Sequence, residues 1–102
     1  MEYEISAEGY KVAIFLSGRF DFQTGGIVRK IQAQLFEMDC VTSIDFDLFQ
    51  VSYIDSTAIG MLLYLRSKIG EKFKIRVGLI NAQGITKRVI EEMQLHRLFN
   101  VS

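Results

Sequence analysis

The sequence contains no proline. With no low-complexity tract or internal repeat either, nothing in it marks a linker or a domain boundary, so residues 1–102 read as one domain. It has a single cysteine, Cys40, which excludes an internal disulfide and a cysteine-built zinc cage. The apolar neighbours Met38 and Val41 give the expectation of a buried, inert thiol. It has no charge of either sign in excess: twelve basic and twelve acidic residues leave a formal net charge of zero. That balance points away from nucleic acid or an anionic membrane as the main partner and suits a protein partner. Long hydrophobic runs are also missing. A run such as Met61–Leu65 is far too short to span a bilayer, so no direct membrane insertion is expected. The start, Met-Glu-Tyr-Glu-Ile, lacks a signal-peptide pattern, and the expected location is cytoplasmic.

What the chain does have is ordinary core material: 49% hydrophobic and 24% charged residues, which places it among globular domains. Tyr3–Ser6 and Lys11–Ser17 read as strands joined by a Glu8-Gly9 turn, where glycine accepts a positive φ. After Thr24-Gly-Gly26, the spacing of Ile27, Ile31, Leu35 and Met38 predicts a helix. Residues 43–48 alternate Ile44, Phe46 and Leu48 with Asp45 and Asp47, a strand pattern. From Ser56 a helix aligns Ala58, Leu62, Leu65 and Ile69, with Gly70 able to help end it. Residues 74–80 read as a strand. Residues 86–93 read as a helix with Ile85, Val89 and Met93 inward, and residues 98–101 as a short edge strand. The order ββαβαβα implies an α/β fold with a mixed sheet and helices mainly on one face. Tyr10, Phe15, Phe20, Phe46, Phe49 and Phe73 are candidates to give bulk to the other face.

The most informative stretch is Val51-Ser-Tyr-Ile-Asp-Ser-Thr-Ala-Ile-Gly60. It reads as a strand end, a tight loop and a helix start. Asp55, Ser56 and Thr57 carry the side-chain oxygens that cap the free N–H groups of a first helical turn. The positive end of the helix dipole lies at the same place and tolerates a phosphate on serine. Ser56 is therefore a candidate switch as well as part of a cap.

An enzyme reading needs Ser56 activated by a base, and His96 is the only histidine. No Gly-x-Ser-x-Gly elbow or oxyanion-hole motif accompanies it, so no catalytic residue is assigned. His96 is expected at the surface. Asp45 and Asp47 are too few for a calcium site, and Thr24-Gly25-Gly26 lacks the spacing and lysine of a phosphate-binding loop. No metal and no cofactor are expected.

Asp47-Leu-Phe-Gln-Val-Ser-Tyr-Ile-Asp-Ser-Thr-Ala-Ile-Gly60 resembles the central motif of STAS domains, the family of bacterial anti-sigma factor antagonists. Ser17-Gly-Arg-Phe-Asp21 resembles that family's second landmark. Val89, Met93, Leu95, Leu98 and Phe99 fit its closing helix. The resemblance implies a STAS-like fold and a protein-binding switch. Unphosphorylated, such a domain binds an anti-sigma factor that is also a serine protein kinase. Phosphorylation of the serine after the motif Asp releases it, and a PP2C-type phosphatase restores it. Carried over by position, that serine is Ser56, with Thr57 the alternative hydroxyl. Asp21, Asp55, Ser56, Thr57 and Ala58 become the expected partner surface. Ala58 departs from the glycine common there, adding a methyl where a kinase would approach. The alternative the resemblance leaves open is a STAS-type accessory subunit of a membrane transporter of lipids or anions.

Overall fold

Alternation along the first half of two long strands creates the sheet's two faces. In the computed structural model, which describes all residues Met1–Ser102, β2 (Lys11–Phe20) and β3 (Ser43–Ile54) lie side by side and parallel. Val12, Ile14 and Leu16 of β2 and Ile44, Phe46 and Leu48 of β3 are all buried on one face. Ala13 and Phe15 pair with Asp45 and Asp47 on the other. The alternation is what a sheet covered on one side only requires.

Around this pair, β1 (Glu2–Glu8) runs antiparallel to β2, while β4 (Val77–Ile80) and β5 (Asn100–Val101) continue the sheet in parallel, in the order β1-β2-β3-β4-β5. The first turn contains Gly9 at φ +65°, so two residues reverse the chain. Each parallel step needs a crossover, supplied by α1 (Gly25–Phe36), α2 (Ser56–Phe73) and α3 (Gly84–Glu92). Parallel crossovers are right-handed, and all three step in the same direction, so all three helices land on one face. There they close a single core of 23 buried residues. The radius of gyration, 12.4 Å, is that of one domain of this length (about 13 Å for 100 residues).

The mixed α/β architecture with helices on one face is as expected, and several local readings need correction. β3 runs on to Ile54 through a register shift opposite β2. α2 continues past Gly70 to Phe73, because Lys74 itself takes the left-handed conformation (φ +58°) that ends the helix. β4 therefore starts only at Val77. In α3 the fully buried residues are Thr86 and Ile90; Val89 packs half-buried against the core as expected, but Ile85 and Met93 are exposed. A buried hydrogen bond from Thr86 Oγ1 to the Val51 carbonyl sets that phase. Cys40 is exposed, not buried. It sits in the reversal between α1 and β3 with φ +59°, and Val41 turns into the core instead. Among the aromatics, Phe20 and Phe46 are core residues under the helices. Phe73 meets Phe36 edge-on at 6.5 Å, Tyr10 is exposed, and only Phe15 and Phe49 stand on the open face or its rim.

Candidate functional site at the start of the second helix

Strand pairing builds the site. Phe20 at the end of β2 pairs with Ile54 at the end of β3. The next residues, Asp21 and Asp55, therefore leave the sheet side by side, and the Asp55 N–H donates to the Phe20 carbonyl at 3.4 Å. Reaching this pairing requires an irregular stretch of β2 at Gly18, which adopts φ +89°, a region costly for any residue with a Cβ.

Each aspartate caps the turn that comes after it. Asp55 is extended (φ −119°, ψ 180°), and its Oδ1 accepts from the Ala58 N–H at 2.9 Å. This is the N-cap geometry, and it satisfies one of the free amides of the first turn. Asp21 Oδ1 accepts from the Gln23 N–H at 3.0 Å and starts a 3₁₀ turn, Phe22–Thr24, that leads into α1. Thr24 is buried and its hydroxyl donates to the Asp21 carbonyl at 2.7 Å. Arg19 lies over the Tyr53 ring, 4.0 Å from its centroid, with Nε 3.6 Å from Asp21 Oδ2. The two loops are thus tied together by backbone pairing and one stacked guanidinium, while each carboxylate cap fixes the turn of its own loop.

Ser56 is the first residue of α2 and is exposed, as is Thr57. Ala58 is not part of this surface. It is fully buried, its N–H is taken by Asp55, and its methyl packs into the core, where a partner cannot touch it. Asp21 is largely buried too, with its side chain 13% exposed, so it acts by holding its loop and Arg19 in place. Sequence reasoning missed the residues that surround the serine. Phe22 is exposed beside Asp21, and an open groove of about 420 Å³ between α1 and α2 adjoins Thr57, lined by Val28, Arg29, Met61 and Tyr64 among others. These lie on helix faces whose polarity pattern gives no sign that two elements converge there.

No base approaches Ser56. His96 is exposed in the 3₁₀ turn Leu95–Arg97, and its carbonyl accepts from Arg76, which precedes the strand β4 paired with the beginning of β3. Val77, next to Arg76, pairs with Ile44 at the start of β3, whereas Ser56 lies past the opposite end of that strand, which closes at Ile54. A Ser–His nucleophile pair is not assembled. No three acidic, histidine or cysteine side chains converge as metal ligands, and no helix is long and apolar enough to cross a membrane.

Known proteins share this architecture. The STAS domain family model matches residues 4–102. A STAS-domain containing protein of Pseudomonas aeruginosa (strain UCBPP-PA14) is 30% identical over 99 residues, covering 95% of this chain and 93% of that protein. The fold superposes on the anti-sigma factor antagonist SpoIIAA in its unphosphorylated form, with a TM-score of 0.78, 22% identity and coverage of 99% of this chain and 88% of the other. The phosphorylated form of the Bacillus cell fate determinant SpoIIAA matches with a TM-score of 0.69, 20% identity and coverage of 99% and 91%. An anti-sigma factor antagonist from Mycobacterium paratuberculosis matches with a TM-score of 0.81, 19% identity and coverage of 98% and 83%. With the family model spanning nearly every residue, the chain belongs to the STAS domain family.

Proposed function

We propose that this protein is a phosphorylation-controlled binding switch of the anti-sigma factor antagonist type. Unmodified, it binds an anti-sigma factor that is also a serine protein kinase. That kinase phosphorylates Ser56 and is released, and a PP2C-type phosphatase resets the protein. The observation that carries this reading is the exposed Ser56 hydroxyl at the first position of α2, directly after the Asp55 cap. A fold shared with an antagonist that has been solved both unphosphorylated and phosphorylated supports it.

The physical chemistry of the switch is local. A phosphoserine carries about −1.5 to −2 charges at neutral pH. At a helix N-terminus that charge gains about 0.3–1 kcal/mol. Across roughly 7 Å of water, the Asp55 carboxylate costs each unit of it about 0.6 kcal/mol. The two nearly cancel, so the fold stays as it is. At an interface, a desolvated unpaired phosphate or a like-charge contact costs several kcal/mol. The modification therefore acts on binding and not on folding.

The test is affinity capture from the native cells with wild type, Ser56→Ala and Ser56→Asp, together with phosphosite mapping of the recovered protein. The reading expects a kinase held by wild type and Ser56→Ala, little held by Ser56→Asp, and phosphate on Ser56. Phosphate on Thr57 alone, equal capture by all three, or recovery of permease and ATPase components instead of a kinase overturns it.

A further inference from the structure

The uncovered face of the sheet carries a groove that the Ser56 site does not use. Its larger part, about 660 Å³ and open to solvent, is lined by Glu4, Phe15, Asp47, Phe49, Gln50 and Asn81 with the buried Leu16 beneath. A second recess of about 210 Å³ continues it toward β1, sharing Glu4, Phe15 and Gln50 and adding Glu2. Phe15 is 44% exposed and Phe49 61%, and the half-buried Ile80 registers with Asp47 on the same face.

The charge around these rings has one sign. Strand register puts Glu2, Glu4, Glu8, Asp45 and Asp47 on this face, with Lys11 as the only lysine or arginine of β1, β2 or β3 that registers with them. Neither recess has a basic lining residue. The molecule's two ion pairs, Arg19–Asp21 and Lys68–Glu71, lie elsewhere, so no cation of this chain pairs with Glu2, Glu4 or Asp47. Asp47 is held in place, with Oδ1 accepting from the Phe49 N–H and Oδ2 from Asn81, at 3.0 and 2.9 Å. Beside it, Asp45 leans over Gly78, where a Cβ would collide with the carboxylate. The net charge of the chain is zero, so this acidic surplus is offset on other surfaces, chiefly by Arg29, Lys30, Arg66, Lys68, Lys72, Lys87 and Arg88 of the helices.

Exposed aromatic rings flanked by uncompensated carboxylates match one side chain best. Arginine stacks its guanidinium on an aromatic face and bonds a carboxylate through two parallel N–H groups, which lysine cannot do. We propose that this groove docks an arginine-bearing amphipathic segment of a partner protein, at a surface independent of Ser56.

The test is amide NMR of the full chain titrated with an alternating Arg-Leu octapeptide, beside a Lys-Ser octapeptide of equal charge. The proposal expects shifts centred on Phe15, Leu16, Asp47, Phe49 and Gln50, and much weaker binding of the Lys-Ser peptide. Phe15→Ser with Phe49→Ser, which leaves every charge in place, weakens Arg-Leu binding by about tenfold or more, the effect of losing an aromatic anchor. Glu2→Gln with Glu4→Gln weakens it as well and carries the test should the phenylalanine pair fail to fold. Equal binding of the two peptides, shifts centred on the start of α2, or unchanged affinity in the variants overturns the proposal. So does concentration-dependent self-association of the free protein through this same face, which assigns the groove to a second copy.

Discussion

Replacing Asp55 separates the two jobs this carboxylate does. Its Oδ1 accepts from the Ala58 N–H at 2.9 Å, and α2, which it caps, supplies Ala58, Ile59, Leu62, Leu65 and Ile69 to the core. Asp55→Ala removes both the cap and the charge. Loss of an N-cap costs about 0.5–2 kcal/mol. In a domain of this size, each kcal/mol lowers the melting temperature by about 4–8 °C. Asp55→Asn keeps a side-chain oxygen able to accept the same bond and loses only the charge–dipole part, about 0.3–1 kcal/mol when exposed. Urea unfolding followed by circular dichroism should rank wild type, Asn and Ala in falling order with a constant slope, since the same surface is exposed in each case. Native-state hydrogen exchange should show faster exchange of the Ala58 amide in the Ala variant than in Asn. An Ala variant as stable as wild type, or an Asn variant as damaged as Ala, would refute the assignment of the cap.

Side chains outside that cap give three further expected outcomes. Thr86→Val removes the buried donor to the Val51 carbonyl and should cost about 1 kcal/mol in urea unfolding, while Thr86→Ser retains most of the stability. Ala58→Leu pushes extra methyl groups into a fully packed position and should destabilise by about 1–3 kcal/mol, so any binding defect must be judged beside its melting curve. Exposed Cys40 should react with a maleimide in the native protein as fast as it does in denaturant, and protection of the thiol would contradict its placement.

Much of the fold is legible in the sequence because period-2 alternation in residues 43–48 and helical spacing from Ser56 to Ile69 each allow one buried face. The phase of α3 is not legible. Ile85, Val89 and Met93 form a regular apolar stripe of which only Val89 reaches the core, and the turn toward Ile90 is made by a Thr86 hydroxyl that finds the Val51 carbonyl 35 positions away. The exposure of Cys40 arises from a backbone reversal with a positive φ that no composition rule marks. At the candidate site, the cap is local and readable: Asp55 and the amide it accepts from are three residues apart. The stacking of Arg19 on Tyr53 and the approach of Asp21 to Asp55 depend on strand register across the β2–β3 pair, which is a long-range property. The open face is hidden from the sequence for a related reason. Phe15 and Phe49 come from different strands, and only pairing shows that they flank one groove ringed by acids.

The central claim is that a phosphate on Ser56 controls binding without disturbing the fold. It is tested most directly by calorimetry. Protein carrying phosphoserine at position 56 and unmodified protein are each titrated into the kinase that the unmodified protein captures. An interfacial penalty of about 3 kcal/mol corresponds to weakening by more than about a hundredfold. The account predicts that loss for the phosphorylated protein, with a melting temperature within about 4 °C of the unmodified one. Equal affinity of the two forms would contradict it.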